Sequence, residues 1–375
     1  KTHPKAHISL TDFKKTLATN MAYNSINDWN MFINYSRTQG ATVFGSYASS
    51  AVASTFEAYS TKSLSQYGTS LQIGATYDTA TNQPTIGTIA LPDSNTYGLK
   101  VQLTQPILKN AFGRADQYPL KLKTKLDDVA KIVYQQQTQD FISLLTEEYL
   151  KWVFLENDVK IVKNQVEKAK KQLVITKKQY KLDAAEQLDV ITSKQNVLVR
   201  ENTLLSKKYE LLQQKKKISF YLHGKVIANL DDIKSDKSVV LNLNKVDQSS
   251  SIAYITEKSL FKQLCLLNED MAELTLSYEK ENLKADLDVF ISADIDNYRT
   301  YLENQDDVND NYELTGTSSP FTIGFSYYKP LKNIAQNSSS DAAQKNVEKT
   351  KNDNENTILN LQESVTYLFD QLDFL

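Results

Sequence analysis

The sequence predicts an α+β membrane protein, with long antiparallel α-helical (coiled-coil) hairpins, four β-strands per chain contributing to a shared transmembrane β-barrel, and an internal two-fold repeat. Three observations carry that expectation. Turn formers are scarce: 10 Gly and 7 Pro in 375 residues, about 2.7 % and 1.9 % against typical usages near 7 % and 5 %. Four stretches alternate strictly between apolar and polar residues. The order strand, loop, strand, Pro, long helix also occurs twice.

Few turn formers exclude a many-stranded sandwich and call for long uninterrupted helices. A hydrophobic content of 41 % and a mean hydropathy of -0.45, with no run near the ~20 apolar residues of a spanning helix, exclude transmembrane helices. The 21 Tyr and 14 Phe are too many aromatics for a solvated coil. A net charge of -2 excludes a general electrostatic footprint for nucleic acid. Cys265, the single cysteine, rules out an internal disulfide and reads as a buried structural thiol among Leu264, Leu266 and Leu267. His3, His7 and His223 are too far apart to suggest a metal cluster. Lys1 opens a polar stretch without a secretory signal, as expected of a cytosolic chain or a processed mature form.

The elements follow in order. Ile8 to Leu17 reads as a short helix and Tyr23 to Tyr67 as irregular. In Thr69–Asp78, Leu71, Ile73 and Tyr77 share one face, with Gln72 on the other. After a polar loop, Thr79–Asn95, a second alternation puts Tyr97, Leu99, Val101 and Leu103 on one face and Lys100 and Gln102 on the other. Pro106 ends it, having no N–H to donate. From Tyr118 the pattern is helical, and Leu120–Leu182 contains neither Gly nor Pro, a length of about 95 Å at 1.5 Å per residue. Leu155, Val159, Val162, Val166, Ala169, Leu173, Thr176 and Tyr180 recur at a mean spacing of about 3.5, which makes a helix supercoil on a partner. The lysines between them form a solvated face.

The pattern breaks over Leu182–Leu188 and a helix returns from Asp189 to Tyr221, making an antiparallel hairpin. Ile191, Leu198, Leu205 and Leu212 recur every seven residues along it. Gly224 is its expected cap, and His223 a helix-end residue rather than a ligand. Lys225–Ser250 reads as short strands and turns, and a helix runs from Ile252 to about Lys284. In the third alternation Leu287, Val289, Ile291 and Ile295 oppose Asp288 and Asp294. An acidic loop follows, Asn304–Asn311, then a fourth alternation with Phe321, Ile323, Phe325 and Tyr327 on one face. A last helix covers Asp341–Leu375.

Pro106 and Pro330 anchor the repeat, and at the same offset Tyr97, Leu99, Val101 and Leu103 fall on Phe321, Ile323, Phe325 and Tyr327. Alternating strands of about ten residues match membrane-barrel strands, apolar face to lipid and polar face to a watery lumen. Four strands cannot close, and an open edge in hydrocarbon leaves backbone groups unpaired. Other copies of the chain must complete the barrel.

With these elements the sequence resembles the TolC family of outer-membrane efflux ducts. Leu99-Lys100-Val101-Gln102-Leu103-Thr104-Gln105-Pro106-Ile107-Leu108 resembles the family's second barrel strand and the start of its first long helix. Gln179-Tyr180-Lys181-Leu182-Asp183 with Leu188-Asp189-Val190 resembles the periplasmic tip, and Leu222-His223-Gly224 the end of the returning helix. Asp286-Leu287-Asp288-Val289 and Gly324-Phe325-Ser326-Tyr327-Tyr328-Lys329-Pro330-Leu331 resemble the second repeat's strands. Asp183 stands where the family usually has Gly, Leu188 where it often has Ser or Thr, and Ala285 where it usually has Pro. The second repeat ends at Leu375, before the second tip and returning helix that the resemblance implies.

The resemblance implies a homotrimer whose twelve strands form one barrel in the outer membrane of a Gram-negative bacterium, above a helical periplasmic tunnel. It implies no cofactor and no catalysis. It also implies an exit duct of a tripartite efflux pump or type I secretion system, partnered by a periplasmic adaptor and an inner-membrane pump, with outer-membrane lipid around it. The division expected is 1–64, N-terminal helix and irregular segment; 65–106, first strand pair; 107–224, first hairpin; 225–251, equatorial segment; 252–284, helix of the second repeat; 285–331, second strand pair; and 332–375, start of a second long helix. Lys181, Asp183, Glu186, Gln187 and Asp189 form the adaptor-docking tip. Two competing readings are a pore-free periplasmic adaptor, for which no Gly-rich lipoyl-like segment is found, and an enzyme, for which no phosphate loop, His pair or nucleophile motif is found. Asp306, Asp307, Asp310 and Glu313 lack the glycine and spacing of a Ca²⁺ loop and read as a solvated loop.

Overall fold

A chain with so few turn formers should put its length into helices, and the longest described helix has 65 residues. The computed structural model describes residues 4–44, 47–86, 93–223, 247–303 and 311–374. Six α-helices are described: α1 (Pro4–Asn20), α2 (Gln117–Lys181), α3 (Gln187–His223), α4 (Gln248–Glu257), α5 (Leu260–Asn282) and α6 (Ile334–Phe374). Seven strands accompany them: β1 (Trp29–Phe44), β2 (Tyr47–Leu64), β3 (Thr69–Ile86), β4 (Asp93–Pro106), β5 (Asp286–Glu303), β6 (Asn311–Ser318) and β7 (Phe321–Tyr328). No described helix is long and apolar enough to cross a membrane.

The chain forms two compact units. One holds residues Lys1–Leu17, Val129–Leu260 and Val365–Leu375, and the other Ala18–Asp128 and Phe261–Ser364. In the first, α2 and α3 pack antiparallel. Ser193 donates to Thr176 (3.3 Å), Lys170 meets Glu201 (2.6 Å), Arg200 donates to Gln165 (3.1 Å) and Lys207 faces Asp158 (3.6 Å). The expected seam on α2 is observed, with Val162, Val166, Ala169 and Thr176 buried. On α3 the expected stripe is not the seam: Ile191, Leu198, Leu205 and Leu212 are exposed. The face packed on α2 lies one residue earlier in each heptad, at Val190, Val197, Leu204, Leu211 and Ile218, of which Val197 and Ile218 are buried. Two apolar stripes lie side by side on α3, and spacing alone does not choose between them; the polar pairs of Ser193 and Gln214 with α2 do.

In the second unit all the strands make one antiparallel sheet in the order β1-β2-β3-β4-β5-β6, with β7 also paired to β5. β6 and β7 occupy successive stretches beside β5, interrupted at Ser319 and Pro320, where proline has no ladder donor. The second unit also packs the start of α2 on α5, with Tyr118 and Tyr278 stacked at 4.3 Å and Lys125 paired with Asp270 at 2.5 Å. Cys265 is buried there, as expected, and burial pushes its thiol pKa up. Asn354 of α6 donates to the Cys265 carbonyl (2.9 Å) and to Glu269 (2.8 Å).

The sheet corrects several expectations. Seven strands are described in it, not four. Tyr23–Tyr67, expected to be irregular, holds a 3₁₀ turn (Met21–Asn27) and the β1–β2 hairpin. Its Ser, Ala and Asn residues hide a strand pattern that cross-strand pairing supplies. The expected loop Thr79–Asn95 is largely strand, since β3 runs to Ile86 and β4 begins at Asp93. The helix expected over Ile252–Lys284 is two helices, broken where the Lys258 and Ser259 N–H groups both turn back to the Tyr254 carbonyl. The last helix begins at Ile334 rather than Asp341. The expectations for His3, Gly224, residues 225–246 and the acidic residues Asp306, Asp307 and Asp310 lie outside the described residues.

Candidate functional site

The site is a sheet with two unlike faces. Directly opposed residues of an antiparallel pair share a face, so register decides membership. Leu103 pairs with Leu71 and Ile291, and Ile291 with Ile323. Val101 pairs with Ile73, Leu99 with Ile295, and Tyr97 with Tyr77. Val289 pairs with Phe325, Leu287 with Tyr327, and Phe321 with Ala293, the partner of Val101. Every residue expected to face lipid thus lies on one side. Gln72, Gln102 and Ser292 form a row on the other side, with Lys100 opposite Asp294 and Asp288 opposite Ser326.

Burial runs opposite to that of a water-soluble sheet. Along β4 the apolar members Tyr97, Leu99, Val101 and Leu103 are exposed, while Lys100 and Gln102 are half-buried. Val101 is 46 % exposed and Phe325 75 %. The apolar run on β5 from Leu287 to Ile295 extends about 27 Å along the strand at about 3.4 Å per residue, comparable to the apolar band of an outer-membrane barrel. One end of the band carries an aromatic row, Tyr35, Phe56, Tyr77 and Tyr97, with the two tyrosines stacked at 4.7 Å. The next row is polar: Arg37, Ser54, Thr79, Asn95 and Arg299.

β1 adds residues that the sequence reading missed. Trp29, Met31, Ile33 and Tyr35 lie on the apolar face and are all exposed. Their alternation was readable, but Phe32 on the other face obscures it. Lys62 sits over the Trp29 ring at 5.5 Å, a cation–π contact.

At the hairpin tip, Lys181 closes α2 and Gln187 opens α3. The Ala184 N–H donates to the Gln179 carbonyl (2.9 Å) and the Asp183 N–H to that of Tyr180 (3.1 Å). This is a Schellman closure, and it puts Asp183 in the left-handed region at φ 54. That conformation explains why glycine suits the position in the resembled family. Asp189 Oδ2 accepts from the Glu186 N–H at 2.9 Å, half of a capping box at the start of α3. Asp183, Glu186, Gln187 and Lys181 are exposed, as are Leu182 (79 %) and Leu188, two apolar side chains that the expected tip set did not include.

The hairpin body carries one buried charge. Glu148 on α2 is 2 % exposed. It takes hydrogen bonds from Lys217 Nζ (2.7 Å) and Gln214 Nε2 (2.7 Å), with Lys151 at 3.7 Å. The Lys217 and Gln214 bonds hold its carboxyl below the ordinary 4.5 against the opposing effect of burial.

By sequence the chain matches no family model and no curated protein. Its fold is that of solved outer-membrane channels. The outer membrane protein VceC of Vibrio cholerae matches with a TM-score of 0.60 at 11 % identity, over 99 % of this chain and 76 % of that one. The outer-membrane channel CmeC of Campylobacter jejuni matches at 0.57 and 12 % identity, over 96 % of this chain and 66 % of that one. The MtrE channel of Neisseria gonorrhoeae, solved in an open state, matches at 0.52 and 8 % identity, over 98 % of this chain and 68 % of that one. The chain therefore has a TolC-like outer-membrane efflux protein fold, as its resemblance to that family implied.

Proposed function

We propose that the chain is one subunit of a trimeric outer-membrane exit duct, a passive channel of an efflux pump or type I secretion system and not an enzyme. The observation that carries this reading is the uncovered apolar face, a continuous band from β1 to β7 with the polar residues on the opposite face. In water that face would be an aggregation surface; in a bilayer it is the favoured one. Residues 65–106 and 285–331 would then lie in the barrel, with the β1–β2 hairpin beside them, and 107–224 would form a tunnel hairpin. The outer edges of β1 and of β6 and β7 have no partner among the described strands. An unpaired edge costs several kcal/mol per group in hydrocarbon, so neighbouring copies must cover it. Three copies of the whole sheet make a wider barrel than the twelve strands implied by four per chain.

The exposed stripe of Ile191, Leu198, Leu205 and Leu212 gives each hairpin a second seam for a neighbouring copy. The tip residues Lys181, Asp183, Glu186, Gln187 and Asp189, with Leu182 and Leu188, supply the surface for a periplasmic adaptor, which links the duct to an inner-membrane pump. The test compares Val101→Arg with Gln102→Arg. At mid-bilayer the first should cost about 2–4 kcal/mol per subunit and deplete the protein from the outer membrane, and the second should be far milder. Equal effects, or wild-type protein recovered from the soluble fraction, would defeat the membrane reading.

A further inference from the structure

The apolar face ends in a border that carries positive charge. β1 and β5 enter the sheet from helical segments at Trp29 and Asp286, and β4 and β7 leave it toward helices at Pro106 and Tyr328. The aromatic row Tyr35, Phe56, Tyr77 and Tyr97, continued by Asn297, lies on the side away from those connections. One row further from the helices stand Arg37, Ser54, Thr79, Asn95 and Arg299, with an arginine at each end and hydroxyls and an amide between. Both arginines are exposed.

Beside this border the face is dented. Ala58 pairs with Ala75, Ala75 with Leu99 and Leu99 with Ile295, so two methyl groups adjoin the rings of the aromatic row. The dent encloses about 400 Å³, walled by Phe56, Tyr77, Tyr97, Leu99 and Ile295 around Ala75, a volume in the range of about 300–1,000 Å³ of small-molecule sites. Asn297 lies at its rim, and Arg299 stands two residues further along β5 on the same face, about 7 Å away. We propose that dent and border form a lipid site for a lipopolysaccharide of the outer leaflet, one acyl chain lying in the dent and the phosphates resting on Arg299 and Arg37. This rests on the duct reading, in which the end away from the helices is extracellular.

Any lipid tail fits an apolar dent, so selectivity lies in the border. A guanidinium offers five donors in a fork that matches phosphate oxygens two at a time, so a phosphate adds to whatever the arginine already holds. The two arginines are four strand spacings apart, about 19 Å. That span suits a disaccharide with a phosphate at each end better than a single phosphodiester. Ser54, Thr79 and Asn95 between them supply partners for sugar hydroxyls. Among the described side chains of the strands, the acid on this face is Asp93, one row further out, on the water side of the phosphates.

The test is native mass spectrometry of the delipidated, intact assembled protein in detergent. It is titrated with diphosphorylated lipid A, with the same lipid dephosphorylated, and with phosphatidylglycerol. Lipid A should bind about tenfold or more tightly than either. Arg37→Gln with Arg299→Gln should weaken lipid A about tenfold or more, keep the subunit count and leave the dephosphorylated lipid unchanged. Ala75→Phe fills the dent and should weaken both forms of lipid A about threefold or more. Should the double variant not assemble, Arg299→Gln alone decides the matter, with a loss of about threefold or more. Phosphatidylglycerol or dephosphorylated lipid binding as tightly as lipid A, or variants with the wild-type affinity, overturn the lipid site and leave the duct standing. Wild-type protein that stays monomeric and soluble without detergent overturns the membrane reading itself.

Discussion

Replacing Glu148 should unfasten the α2–α3 hairpin in a way that chemistry can partition. In Glu148→Gln the side chain keeps its shape and loses its charge. The carboxylate accepts from both Lys217 and Gln214, whereas an amide offers one oxygen and turns an NH₂ toward the other donor. One charge-assisted hydrogen bond is lost, worth about 1.5–3 kcal/mol. Lys217 is 47 % exposed and can return to water, so the expected cost is about 2 kcal/mol rather than the about 3–5 kcal/mol of a fully buried orphan. Lys217→Met should cost at least as much, because it strands the carboxylate, 3 % exposed, beside Gln214 and Lys151. The double variant Glu148→Leu, Lys217→Met should recover most of the loss, since an apolar pair needs no desolvation. Helical ellipticity of the detergent-solubilised protein, followed through denaturation at a series of pH values, gives these energies. The Glu148 pKa is lower in the folded state than the ordinary 4.5, so its contribution is full above that ordinary value and fades as pH falls through the folded one. Wild type should therefore lose more stability than Glu148→Gln between about pH 5 and pH 2. Additive single and double effects, or identical acid limbs, would refute the coupled cluster.

Three further outcomes follow from the same packing. Val162→Asp with Val166→Asp buries two unpaired charges in the α2–α3 seam and should lower thermal stability sharply, while Lys163→Gln should hardly change the melting temperature. Leu198→Asp with Leu205→Asp, on the exposed stripe, should leave the secondary structure of the single chain intact yet reduce the trimer fraction in native electrophoresis; trimers as abundant as in wild type would assign that stripe to solvent. Asp183→Gly relieves a left-handed residue and should be neutral or stabilising by up to about 1 kcal/mol, whereas Asp183→Val should cost about 1–2 kcal/mol, both read from denaturation midpoints.

What was legible in the sequence depended on whether one period dominated. The 3.5-residue spacing from Leu155 to Tyr180 named the buried seam of α2 because one stripe there is apolar and its flanks are lysines. On α3 two stripes compete, and the tertiary pairing of Gln214 with Glu148 settles which faces inward. Strict alternation named β3, β4, β5 and β7 and sorted their two faces correctly. β1 and β2 escaped because Phe32, Tyr59 and Phe56 put aromatics on both faces, so neither face reads as apolar. Phe32 and Tyr59 stack at 5.0 Å, a cross-strand pairing that no single strand announces. Glu148 gave no signal either, since its burial depends on Lys217, which lies far along the chain.

On the proposed function the apolar sheet face meets lipid in an assembly of several copies. Counting subunits in protein extracted from the outer membrane by mild detergent, by native mass measurement, tests it most directly. Three copies are expected in the membrane fraction. A monomer recovered in the soluble periplasmic fraction, with its sheet face covered by another protein, would contradict it.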